Sequence, residues 1–241
     1  MKTSGLIRVG LVVMALAVLT PFTSHTTIVG SKHDFSVSTN YWIGGTTNWA
    51  AGATSTNTCS ECHTIHHAPD PARGPLWIHT PTANTFKTYD QSGSETFPSG
   101  LTVLLGSSSK ACLSCHDGSV AINSQDSGAM PGTTTTIKGG KPVFIATNAI
   151  PVENVGSYDD LTHMHPIGVN YASAVAALPT GDLNPVSTPI AGGTIASVML
   201  KNGSLECSSC HDIHRTQGTS TTSGIYTIAS GQNLCLTCHN K

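Results

Sequence analysis

The eight cysteines of this chain fall into four copies of one pattern: Cys59-Ser60-Glu61-Cys62-His63, Cys112-Leu113-Ser114-Cys115-His116, Cys207-Ser208-Ser209-Cys210-His211 and Cys235-Leu236-Thr237-Cys238-His239. C-x-x-C-H is the attachment signature of c-type haem. The two thiols add across the vinyl groups of the porphyrin, and the adjacent histidine ligates the iron from one face. Two intervening residues place both sulfurs on one side of a single helical turn, the span that two neighbouring vinyls require. Zinc is the competing chemistry, since paired C-x-x-C motifs also build four-thiolate sites. Zinc does not explain why histidine follows the second cysteine in all four copies, and neither does a disulfide scheme. The pattern therefore predicts four covalent haem c groups held by Cys59, Cys62, Cys112, Cys115, Cys207, Cys210, Cys235 and Cys238. His63, His116, His211 and His239 are then the proximal iron ligands.

The other histidines decide what such haems do. Of twelve, four are proximal by motif and His25 lies beside an export signal. His33, His66, His67, His79, His163, His165 and His214 remain for four distal positions. An iron with imidazole on both faces has no open site for oxygen or substrate, so it carries electrons instead of activating a ligand. Two motifs extend to C-x-x-C-H-x-x-H, giving His63-Thr64-Ile65-His66 and His211-Asp212-Ile213-His214. A side chain one helical turn from the proximal ligand cannot reach round the porphyrin to the opposite face. His66 and His214 must therefore serve other irons, which draws haems into close-packed pairs. The expectation is His66 on the haem of Cys112/Cys115 and His214 on that of Cys235/Cys238. His33 is assigned to the first haem and His165 to the third. His163 is second choice for the third haem, or a ligand to a haem in a neighbouring subunit. Met164 is a weaker rival, and His67 and His79 are expected as packing or surface groups.

The elements that must hold these residues are modest. The chain has 241 residues with 5% aromatic and 10% charged content, too few large apolar side chains for an ordinary core. The expected fold is mostly irregular coil with a few short helices and small β-hairpins, wrapped around four covalently bound haems that serve as its interior. Short helices are expected at the motifs, with serines 107–109 capping the one that enters Cys112. A further helix is expected over 171–178, and a hairpin over 198–206 around a type I′ Asn202-Gly203 turn. Threonine-rich runs at 133–136 and 219–223 read as surface loops.

Residues 1–25 read as a signal peptide: Lys2 and Arg8 precede an apolar run over 9–20 that Pro21 ends. That run is shorter than the ~20 residues that span a bilayer, with an uncleaved anchor as the alternative. The cut is expected between Pro21 and Val29, and no later run is long enough to span a membrane. Residues 26–241 then form a single tetrahaem domain. Its two haem-pair halves lie at about 26–125 and 160–241, because each half carries one extended and one plain motif. A net charge of −2 offers no basic surface for nucleic acid.

These motifs, together with Gly30-Ser31-Lys32-His33-Asp34, Pro75-Leu76-Trp77, His116-Asp117-Gly118 and His165-Pro166, resemble the multihaem cytochromes with paired C-x-x-C-H motifs. More narrowly, the haem count and size resemble the OmcE-type tetrahaem extracellular cytochromes, which polymerise into filaments (nanowires). That resemblance implies a non-enzymatic electron-transfer protein, secreted to the extracellular space or cell surface and self-associating into a homopolymer. It would exchange electrons with other redox cytochromes or extracellular acceptors. Only Asn240 and Lys241 follow His239, which suggests a fourth haem exposed or covered by another molecule. The alternatives are a monomeric periplasmic tetrahaem shuttle and, from the enzyme class, a multihaem reductase of a small oxyanion.

Overall fold

Regular structure forms where a cap, a turn or a motif calls for it, and it stays short. A computed structural model of the chain describes residues 28, 33, 59, 62–64, 68, 76–120, 124–125, 136–137, 159–190, 192–214 and 234–240. The signal at 1–25, His25, His66, His67 and the run at 219–223 lie outside the described residues. The helices are α1 (Ser107–His116), α2 (Tyr171–Ala177), α3 (Cys207–Cys210) and α4 (Leu234–Cys238), with a 3₁₀ turn at Tyr89–Gln91 and a π-helical turn at Ile195–Met199. Among the described residues the strands, each of two residues, are β1 (Ser124–Gln125), β2 (Thr136–Ile137), β3 (Val169–Asn170), β4 (Pro189–Ile190), β5 (Gly193–Thr194) and β6 (Ser204–Leu205). They pair antiparallel as β1–β2, β3–β6 and β4–β5. Thr136, expected in a surface loop, begins β2. No helix among the described residues is long and apolar enough to cross a membrane.

The expected helix over 171–178 forms as α2, entered through Asn170, whose side-chain oxygen accepts the Ser173 amide at 2.9 Å. The expected Asn202-Gly203 turn also forms. Both residues have positive φ, +51° and +80°, and Lys201 and Ser204 exchange backbone bonds at 2.9 and 3.0 Å. The hairpin around it differs from expectation. Val198 and Met199 belong to the π-helical turn, and β6 pairs with β3 instead, Val169 opposite Leu205. The reason is burial: Ile195, Met199 and Leu200 turn inward and are at most 7% exposed, which a flat exposed strand would not achieve. Thr194 starts that turn by accepting the Ser197 amide.

The polypeptide has a small apolar core of its own. Tyr171, Ile195, Leu200 and Leu205 form one buried cluster, and Val103, Val169 and Ala174 form another. Gly168 is where three segments cross. Its amide donates to Leu205 at 2.6 Å and its carbonyl accepts from Leu104 at 2.9 Å. With φ at +75°, an added Cβ would lie 2.8 Å from the Leu104 backbone, so only glycine fits. The crossing joins the segment leading into α1 to the segment leading into α3, so the regions expected as two halves are interlocked.

Candidate haem site

Each motif is built on one helical turn. His63, His211 and His239 donate their amides to the carbonyls of Cys59, Cys207 and Cys235 at 2.9, 3.0 and 2.8 Å, and the second motif lies inside α1. An i to i−4 bond keeps first cysteine, second cysteine and histidine on a single turn. All eight cysteines are thiols rather than disulfides.

Tertiary contacts anchor the turns. The first is clasped by the segment after Pro75: Thr64 donates to Leu76 at 2.8 Å and Ile78 to Cys62 at 2.9 Å. The fourth is held by Asn184, whose side-chain amide donates to the carbonyls of Leu236 and Thr237 at 3.2 and 3.0 Å. The Tyr171 hydroxyl adds a bond to the Cys238 carbonyl at 3.3 Å. These are carbonyls that the end of a helix leaves without partners. Asp117, after the second motif, is fully buried and accepts from Asn84 and from the amide and hydroxyl of Ser119.

Three motif histidines each have another histidine across from them. His63 and His214 have ring centres 6.2 Å apart, His116 and His33 5.9 Å, and His239 and His165 6.1 Å. With a metal–imidazole bond of about 2.0 Å and a ring radius of about 1.2 Å, two imidazoles on opposite faces of one metal atom have centres roughly 6 Å apart. Aromatic packing alone spans about 4.5–7 Å. Packing does not explain why, among the described residues, three separate motif histidines each face another histidine at nearly one distance.

The pairing is not the one expected from sequence. His33, assigned to the first motif, stands beside His116 of the second. His165, assigned to the third, stands beside His239 of the fourth. His214, assigned to the fourth, stands beside His63 of the first. Spacing along the chain favours partners in neighbouring motifs, but α1 and α3 pack together and set the third motif against the first half of the chain. His214 is placed at a motif other than its own. His163 is exposed. His79, expected as packing or surface, is 2% exposed, with Nδ1 2.8 Å from the Thr80 carbonyl.

Burial pushes the Cys115 thiol up, with Cys62 beside it adding to the rise. Cys112 is pushed well up, chiefly by its hydrogen bond with Cys207, whose own thiol is correspondingly lowered. Burial followed by Cys238 raises Cys210. The bonds from Cys207 and Ser208 to Ser109 and Ser108 make the second and third motifs direct neighbours. His33 is lowered to about 4, first by burial and then by His116, His211 and His214, so it is a neutral imidazole at pH 7, the form that ligates metal.

The residues fit haem better than zinc. Among the described residues no three His, Cys, Asp or Glu side chains converge on one metal position, whereas histidines face each other in twos. Nδ1 of His165 lies 3.0 Å from the Pro166 carbonyl, the partner that leaves Nε2 as the ligating nitrogen. The indole nitrogen of Trp77, whose ring is set edge-on to His63 at 5.8 Å, is buried with no hydrogen-bond partner among the described residues. A buried unpaired donor is costly, and a porphyrin carboxylate would relieve it.

Sequence reading missed Glu206, Asn184 and Asp117 as supports of the motifs. Asp117, adjoining His116, had a local signal. Asn184 had none, since its partners are about fifty positions away. A family description, the doubled CXXCH motif, matches residues 199–241, which contain the third and fourth motifs. No curated protein matches the chain significantly. The family match supports a multihaem c-type cytochrome that works in electron transfer.

Proposed function

We propose that the chain is a tetrahaem electron conduit with histidine on both faces of every iron, and that it acts outside the cell as the protomer of a cytochrome filament. The observation that carries the electron-transfer reading is the set of three histidine pairs separated by 5.9–6.2 Å. In this reading His33, His165 and His214 are the sixth ligands at the second, fourth and first motifs. His66 holds the same place after the first motif as His214 after the third, and by that reciprocity it is assigned to the iron of His211. Bound haem iron supplies a one-electron couple. Histidine on both sides of each iron would leave substrate no coordination site, and the joint between α1 and α3 holds the second and third motifs side by side. The filament rests on the resemblance to OmcE-type cytochromes and on the exposed Leu236, 50% accessible between the two cysteines of the fourth motif.

The test is the exported protein produced with haem-attachment machinery. Its mass should include four covalent haems, its ferric spectrum should be wholly low-spin, and negative-stain microscopy should show fibres. Fewer haems would overturn the tetrahaem reading. A high-spin component would favour a reductase, and dispersed particles under all conditions would remove the filament.

A further inference from the structure

Glu206 is 2% exposed, at the N-terminus of α3 and immediately before Cys207. Its carboxylate does not face solvent. One oxygen accepts the Gly106 amide at 2.9 Å, and the other accepts the Ser109 hydroxyl in a very short bond. Gly106 is the N-cap of α1 and Ser109 belongs to its first turn, so a residue of the third motif's helix caps the helix of the second. The expected cap from serines 107–109 is therefore replaced: Ser109 donates to the carboxylate that satisfies the helix end. The link closes on itself, because the Cys207 amide donates to that same Ser109 hydroxyl at 3.0 Å. Glu206 is also tied into α3 through its amide, which donates to the Ser209 hydroxyl at 2.9 Å. No space is spare, since a Cβ on Gly106 would lie 2.6 Å from the carboxylate oxygen.

Across this joint the Ser108 and Ser208 hydroxyls lie 2.9 Å apart, which sets the helix that carries Cys112 against the helix that opens with Cys207. Cys112 and Cys207 would each carry a porphyrin edge, so this joint sets the second and third haem-attachment turns next to each other. We propose that Glu206 is the positioning residue for electron passage between the haems of the second and third motifs, clamping α1 to α3 and placing a buried negative charge beside that pair alone. The proposal rests on the tetrahaem reading. A buried carboxylate favours the more positive, oxidised iron, because Coulomb interactions are strong where water is excluded.

Three variants of the haem-loaded protein separate charge from position. Glu206→Gln keeps the shape and removes the charge. Two of the four one-electron potentials should rise, by a tenfold or larger shift in the oxidation equilibrium, about 59 mV, while the other two stay in place. Glu206→Asp keeps the charge but shortens the reach, so potentials should hold while haem–haem exciton coupling in circular dichroism falls. Ser109→Ala, which leaves the glutamate intact, should lower the same coupling and provides the test if the glutamate variants fail to mature. Four attached haems with no potential moved, or all four moved alike, would overturn the role of Glu206. Protein without covalent haem would instead overturn the reading on which the role rests.

Discussion

Replacing His214 with alanine tests the cross-chain pairing most directly. The side chain is 61% exposed, so apart from the iron bond itself its loss should cost the fold no more than about 0.5 kcal/mol. What it should remove is the imidazole 6.2 Å from the ring of His63. Among the described residues, His33 and His165 already stand opposite His116 and His239. One haem of four should turn high-spin, taking roughly a quarter of the low-spin ferric signal with it, and the reduced protein should bind about one carbon monoxide per chain. Electron paramagnetic resonance and carbon monoxide titration read both changes. The affected haem is identified by combining His214→Ala with Cys59→Ala and Cys62→Ala, which remove the first haem. If His214 serves that haem, the combined variant gains no high-spin signal from the histidine change. A high-spin haem that persists there would refute the pairing and return His214 to another iron.

Two further substitutions probe the scaffold. Gly168→Ala forces a side chain into a backbone at φ +75° and against Leu104. It should destabilise the haem-loaded protein by about 3 kcal/mol or more, and an unchanged urea midpoint would show that the three segments do not cross there. Asn184→Ala removes two hydrogen bonds to the carbonyls that end α4. It should cost about 1–2 kcal/mol and speed proteolysis near the fourth motif, whereas wild-type protection would mean that α4 is held by other contacts.

Much of the site is local chemistry and could be read from sequence. A C-x-x-C-H run is complete within one helical turn, so haem attachment and the proximal histidines need no knowledge of the fold. The same locality explains the correct placement of α2 and the Asn202-Gly203 turn, since a capping asparagine and a pair of residues suited to positive φ act on their immediate neighbours. It also excludes His214 from the iron of His211, because one turn of helix cannot span a porphyrin. Distal partnership is a different kind of property. His33 meets His116, and His214 meets His63, only after the chain has folded so that residues far apart in sequence lie across from each other. Glu206 belongs to the same class: nothing near it in sequence reveals that its carboxylate caps a helix about a hundred residues earlier. The amino-acid order determined that the chain carries four C-x-x-C-H turns, because each is closed by bonds within five residues. Which histidine faces which turn, and which motifs adjoin, was decided by the packing of α1 on α3 and the crossing at Gly168, where long-range burial and shape outweigh nearness along the chain.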